Sequence, residues 1–173
     1  MMLSYKKPVS FVQIPLEAGV KGKLFASPMP FGPYDKMNRL LKAYVRGRID
    51  CVAILTTMTE IEQKSRKDIR AIYLKNGMDF IHCPIEDYTA PSVEALAPLV
   101  RQIVKRLRGG ESIVVHCNAG VGRTGVVLAA TLSALERKEP GQMLDRLSEL
   151  MTIEVTDEQR RLVSRWWQEC YRV

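Results

Sequence analysis

The run Ile113-Val-Val-His-Cys-Asn-Ala-Gly-Val-Gly-Arg-Thr-Gly125 limits what this chain can fold into more than any other stretch. An apolar strand ends at His116, and a helix of small and branched apolar residues begins after Arg123. Strand and helix are joined by a tight loop, and both are apolar enough to be buried. Gly120 and Gly122 let successive amides turn inward toward one anion, which a Cβ would hinder. Cys117 opens the loop, Arg123 closes it, and Thr124 follows with a hydroxyl. A thiol reacts as the thiolate, which needs positive surroundings. A helix N-terminus supplies part of that. Arg123 adds a full charge and a planar fork suited to a tetrahedral oxyanion. The run reads as a phosphate trap with a nucleophile at its floor.

The rest of the chain supplies a setting for that loop. Phe11–Leu16 and Lys23–Ser27 read as short strands or a hairpin, and the proline-rich run 27–33 as loop. Asp35 is expected to cap a helix whose Leu40, Leu41, Tyr44 and Val45 share a face, ending near Gly47. Cys51–Leu55 is a continuous apolar run of strand length, and Met78–Ile85 a second buried strand. Thr59 and Glu62 form an expected capping box for a helix reaching about Lys75, stopped by Asn76-Gly77. A helix from Ser92 to Arg108 precedes the strand Ser112–His116, and two more helices follow Pro140 and Thr156. Alternating strands and helices predict an α/β fold in three layers, with a mostly parallel central sheet of about four to five strands flanked by helices on both faces. Ligands of such sheets sit beyond the carboxyl ends of the strands, where Cys117 lies.

With 173 residues and neither repeat nor linker, the chain is expected to form a single domain over residues 1–173. No apolar stretch approaches the roughly 18 residues that span a bilayer. The first eight residues lack the apolar middle of a signal peptide. Cys51, Cys83, Cys117 and Cys170 have neither close pairing nor metal spacing, so a reducing cytoplasm is the expected compartment and no metal is called for. Lys and Arg exceed Asp and Glu by 26 to 19. Much of that excess falls in helical segments, Lys64–Arg70 and Arg101–Arg108, where solvated faces are the ordinary explanation. A positive field drawing anionic substrates is the sharper one. With no dense basic cluster interleaved with aromatics, nucleic acid is not an expected partner.

His116-Cys117-x5-Arg123-Thr124, between a strand and a helix, resembles the signature of the cysteine-dependent protein tyrosine and dual-specificity phosphatases. The resemblance is tight over about residues 80–126. It implies a phosphatase II-like fold, no cofactor, and a phosphocysteine intermediate that water hydrolyses. By that likeness Cys117 is the nucleophile, and Arg123 binds the equatorial oxygens. Amides of Asn118, Ala119, Gly120, Val121, Gly122 and Arg123 form the phosphate cradle. His116 orients the loop and tunes the thiol, and Thr124 bonds the thiolate and eases its departure. The general acid of the family lies some 30 residues upstream, where Pro84-Ile-Glu-Asp-Tyr-Thr-Ala-Pro91 looks like the acid loop of the cyclin-dependent kinase-associated group. Asp87 is the expected acid, with Glu86 as the rival one residue away.

Other positions keep two readings. Strict tyrosine phosphatases carry Gln-Thr-x-x-Gln to position water; here Val155 replaces the first Gln, leaving Gln159, which with Thr156 also makes a capping box. Tyr34 or Phe31 is a candidate wall for a deep phosphotyrosine pocket. Cys83 or Cys51 is a candidate thiol to protect an oxidised Cys117, though His82 and Cys83 read first as core. The expected partners are phosphorylated proteins or peptides, with phosphate or another oxyanion in the site. Serine and threonine substrates depend on a pocket depth that the sequence does not give. A phosphoinositide or inositol polyphosphate phosphatase is the alternative within the enzyme class, disfavoured because residues 118–122 hold no lysine. A phospho-binding module without turnover is the alternative outside it.

Overall fold

The computed structural model describes residues 10–171. The N-terminal segment read above for a signal peptide lies outside them. Five strands build one sheet: β1 (Val12–Ile14), β2 (Lys23–Ser27), β3 (Cys51–Ile54), β4 (Asp79–His82) and β5 (Ser112–His116), in the order β1-β2-β5-β3-β4. The first two form the expected antiparallel hairpin; all other pairs are parallel. Seven α-helices alternate with or follow the strands among the described residues: α1 (Leu40–Arg46), α2 (Met58–Glu60), α3 (Ile69–Lys75), α4 (Val93–Arg108), α5 (Arg123–Glu136), α6 (Pro140–Leu150) and α7 (Asp157–Cys170).

Side-chain alternation assigns each strand residue to one of two cores. Leu24, Ala26, Cys51, Ala53, Ile113, Val115 and Cys117 face the layer of α4–α7. Phe25, Val52, Ile54 and Val114 face the layer of α1 and α3. Both faces are covered, as the apolar runs require. Helix α5 lies at the centre of its layer, with Val126, Val127, Leu128 and Leu132 fully buried. Each such side chain contributes roughly 1.5–3 kcal/mol through removal from water. The first turn of α5 is therefore fixed by packing, and with it the end of the loop that carries Arg123.

Four expectations are corrected. The capping box is Thr57 with Glu60, two residues earlier than Thr59 with Glu62. The helix expected through Lys75 breaks: α2 continues as a π turn over Ile61–Ser65, Arg66 turns left-handed at φ 55°, and α3 restarts under an Asp68 cap. The strand expected over Met78–Ile85 pairs only over Asp79–His82 and is an edge strand, half-buried, because among the described residues no strand lies beyond it. On α1, Leu40 and Tyr44 are buried, but Val45 is exposed. The i, i+4 pair shares a face, and the next residue is turned about 100° away. Asp35 does serve the helix start, accepting the amides of Arg39 and Leu40 on Oδ1 (2.9 and 3.1 Å) and that of Phe31 on Oδ2 (2.8 Å).

Candidate active site

The loop after β5 is held from outside by its carbonyls. Met29 N–H donates to Asn118 O (3.1 Å) and Glu154 N–H to Val121 O (3.1 Å). In a planar trans peptide the following N–H points the opposite way. The amides of Ala119 and Gly122 are thereby turned toward the pocket that both residues line. Gly120 N–H donates to Cys117 Sγ at 3.2 Å. Its φ is +79°, and a Cβ there would stand 2.6 Å from Ser27 O. Only glycine fits that turn.

His116 is wholly buried on the α1–α3 face, opposite in parity to Cys117. Its Nδ1 lies 3.2 Å from Cys117 O and its Nε2 3.0 Å from the Tyr73 hydroxyl. A carbonyl only accepts, so Nδ1 carries the proton and Nε2 accepts from Tyr73. Burial pushes the imidazole pKa down to about 4. His116 therefore acts on the loop as a neutral donor, through geometry rather than charge.

Arg123 is 2% exposed, and its guanidinium is engaged on the protein side. Nη1 donates to Glu60 Oε2 (2.6 Å) and Ile85 O (2.7 Å), and Nη2 to Glu60 Oε1 (2.9 Å). Burial works to raise the Glu60 pKa, but the hydrogen bonds and charge of Arg123, helped by Lys64 and the Thr57 amide, hold it at about 2. Glu60 is absent from the sequence reading. Its signal was the Thr-x-x-Glu spacing, assigned there to the neighbouring pair. Arg123 Nε, Asn118 Oδ1 and Thr124 Oγ1 are buried with no hydrogen-bond partner among the described residues. Thr124 thus makes no bond to the Cys117 sulfur here.

The loop after β4 brings Asp87, and not Glu86, to the pocket. Asp87 Oδ1 lies 3.0 Å from Arg123 Nη2, and Oδ2 lies 3.9 Å from Lys64 Nζ, which also bonds Glu60 at 3.1 Å. The Glu86 carboxylate forms no ion pair among the described residues; only its carbonyl is engaged, by Thr89. Gln159 on α7 is buried: Oε1 accepts from the Thr156 amide (2.9 Å), completing the capping box, and Nε2 donates to Thr89 O (2.8 Å). The last helix is thereby tied to the Asp87 loop. Tyr34 and Tyr88, 51% and 79% exposed, stand at the pocket mouth, whereas Phe31 packs toward the α1–α3 core. Tyr88 went unnoticed in the sequence.

The candidate protecting thiols sit wrongly. Cys51 starts β3, level with Ile113, three rows below His116. Burial also pushes its thiol up to about 12. Cys83 follows β4, two strands away from Cys117, which is about 9.6 Å across the sheet and beyond the about 7 Å between Cα atoms that a disulfide spans. His82 donates from Nε2 to Thr56 O (2.8 Å), a structural bond.

In chemical terms, a thiol lies under a ring of amides, beside a fixed guanidinium, with a carboxyl group at the mouth. Such a site can hold a tetrahedral dianion and attack it from below. Comparison with known proteins sets the chain beside phosphatases. The chain is 29% identical over 94 residues to effector protein hopD2 of Pseudomonas syringae pv. tomato, covering 53% of this chain and 20% of that protein. It is 26% identical over 103 residues to cyclin-dependent kinase inhibitor 3 of Sus scrofa, covering 59% of this chain and 49% of that protein. The chain thus spans half or less of the length of these curated relatives. Among solved structures, Tk-PTP in its active form superposes with a TM-score of 0.72 at 28% identity, over 86% of this chain and 94% of that one. Kinase associated phosphatase superposes with a TM-score of 0.81 at 18% identity, over 94% and 96%. PTPMT1 in complex with PI(5)P superposes at 0.72 and 16%, over 84% and 90%. The last two show the shared α/β fold alone. The sequence model of one phosphatase family matches residues 32–135, more than half of the chain, and the chain belongs to that family, Tc-R-P, the polymorphic toxin system DSP-PTPase phosphatases.

Proposed function

We propose that the chain hydrolyses phosphomonoesters of phosphotyrosine, and of phosphoserine and phosphothreonine, in proteins through a phosphocysteine intermediate. The observation that carries this reading is the convergence of Cys117 and Arg123, from the loop after β5, with Asp87, from the loop after β4, on one pocket. The Cys117 thiolate attacks phosphorus, the P–O ester bond breaks, and the Asp87 carboxylic acid gives its proton to the leaving oxygen. Water then attacks phosphorus, Asp87 takes a proton back, and the P–S bond breaks to return phosphate and thiolate. Arg123 and the amides of residues 118–123 hold the equatorial oxygens throughout. Gln159 is assigned to holding the acid loop through Thr89, rather than to positioning water. Residues 1–173 are read as one catalytic domain, able to stand within a longer protein as the short coverage of hopD2 suggests.

The fold shared with PTPMT1, whose structure contains PI(5)P, keeps a lipid phosphatase as the second reading, with Lys64, 3.9 Å from the Asp87 carboxylate, as a cation for a second phosphate. Hydrolysis of p-nitrophenyl phosphate under excess chelator, by wild type and Cys117→Ser, tests the chemistry. Release that disappears in the variant supports it; release by Cys117→Ser refutes it. Phosphotyrosine peptide and PI(5)P vesicles, compared by kcat/KM, then separate the two substrate classes.

A further inference from the structure

Six exposed cations that are scattered in sequence gather on one side of the fold: Lys21, Lys23, Arg39, Lys42, Arg46 and Arg48. Lys21 and Lys23, at the start of β2, line one recess together with Arg46 and Arg48, at the end of α1. Arg39, Lys42 and Arg46 line a second recess that shares Arg46 and Gly47 with the first. The spacing 39, 42, 46 puts these three on one helix face over about 10 Å. Among the described residues, none of the six has a carboxylate within ion-pair distance. Asp50, the one acid lining either recess, spends Oδ2 on the Ser112 amide (2.7 Å). Like charges held this close without partners raise a local positive potential that an anion relieves.

The track has a direction. Its upper end is Arg39, four residues past Asp35, which binds the Arg39 amide, and five past Tyr34 at the pocket mouth. Its lower end is the N-terminal edge of β2, β3 and β5, opposite to the edge that carries Cys117. We propose that the track is a docking site for an extended, Asp- and Glu-rich protein segment that a substrate carries away from its phosphorylated residue. This rests on the phosphoprotein reading of the pocket. An extended chain sends alternate side chains to opposite sides, which matches cations on both walls of the lower recess, and about six residues cover about 20 Å. Nucleic acid is less well served, because the two aromatic rings lining the track, Phe11 and Phe25, stack on each other at 4.7 Å and offer no paired platform for bases. A bilayer is less well served because the cations line recesses, and Val45 is the one large apolar side chain that α1 exposes.

The test uses a fluorescent glutamate oligomer of about six to eight residues. Binding by wild type is compared with that of a Lys21→Glu, Lys23→Glu, Arg46→Glu, Arg48→Glu variant and of a Lys75→Glu, Lys105→Glu control that places added acid elsewhere. Roughly tenfold or greater weakening in the patch variant, with little change in the control, is expected from several screened pairs. Turnover of p-nitrophenyl phosphate by the patch variant should equal wild type, which also certifies folding. A phosphopeptide with an acidic tail should show a lower KM than its tailless form with wild type only. Equal binding by wild type and patch variant overturns the docking site. Patch-dependent capture of a duplex oligonucleotide or of phosphatidylserine vesicles, with no binding of the glutamate oligomer, overturns the partner. Normal turnover with no oligomer binding sinks this inference alone. Oligomer binding without turnover sinks the catalytic reading and leaves the site.

Discussion

The Glu60 carboxylate grips the Arg123 guanidinium with two hydrogen bonds, 2.6 and 2.9 Å long, between residues 63 positions apart. Glu60 follows β3 and Arg123 follows β5, strands adjacent in the sheet, so what leaves their carboxyl ends must meet. A guanidinium held on one edge presents its remaining N–H groups in one direction. Nε, buried and unpartnered, is among them. Under the proposed function, phosphate would meet an arginine already oriented, with its side-chain entropy lost during folding rather than during binding.

Glu60→Ala leaves that buried guanidinium without its main partner. The expected loss is about 3–5 kcal/mol of stability, measured by urea unfolding. Glu60→Gln keeps the shape and one acceptor, and should lower kcat/KM more than it lowers stability. The acid limb of unfolding reports the same pair. A carboxyl held at about 2, below its ordinary 4.5, contributes stability that is complete above pH 4.5 and is lost as pH falls toward 2. Glu60→Gln should flatten that limb; a wild-type-like acid profile in the variant would mean that the pair contributes nothing.

His116 sets a second, separate window. Its pKa is lowered from 6.5 to about 4 by burial, so the folded state binds fewer protons than the unfolded chain between those values. Its contribution is complete above pH 6.5 and declines as pH falls through 4. Tyr73→Phe removes the hydroxyl that Nε2 accepts, and should cost about 1 kcal/mol while leaving the catalytic groups in place. Thermal melts at pH 7.5 and pH 5 check both; a Tyr73→Phe enzyme as stable as wild type at either pH would discount the bond.

Gly120→Ala tests the turn itself. The new Cβ would approach Ser27 O to 2.6 Å, with φ at +79°, so strain and clash add. Vanadate affinity should fall by at least tenfold, because the amides that face the pocket move, while stability falls by about 1–3 kcal/mol. Isothermal titration with vanadate alongside a melt separates the two effects. Retained affinity in a destabilised variant would show that the cradle does not depend on this turn.

Local chemistry made some of this legible in the sequence. The strand, loop and helix around Cys117 are contiguous, so apolar runs and glycines were enough to place them. The two faces of the sheet followed from runs with no polar alternation. What depended on distant pairing was not legible. Glu60 needed the neighbourhood of β3 and β5, and the capping box that contains it was misplaced because Thr57 and Thr59 offer the same spacing to a glutamate. The tie from Gln159 to Thr89 joins residues 70 apart and leaves no local trace. The six-cation track likewise assembles two sequence segments, 21–23 and 39–48, that are individually unremarkable.

Asp87 is where position and charge make opposite predictions for one substitution. Its Oδ1 lies 3.0 Å from Arg123 Nη2, so the carboxylate occupies part of the charge that an incoming phosphate needs. As the proposed acid, it also delivers the proton to the leaving oxygen. Asp87→Asn keeps the size and removes both the proton and the competing charge. Turnover should drop by roughly 10²–10⁴-fold, the usual scale for lost general acid catalysis, and the corresponding limb of the pH–rate profile should vanish. Inhibition by inorganic phosphate should meanwhile grow stronger, because Arg123 no longer has a carboxylate to give up. Glu86→Gln, three bonds along the same turn but outside the pocket, should change neither. A crippled Glu86→Gln with a normal Asp87→Asn would move the acid by one residue. A slower Asp87→Asn enzyme with weaker phosphate inhibition would keep the acid but refute the competition for Arg123.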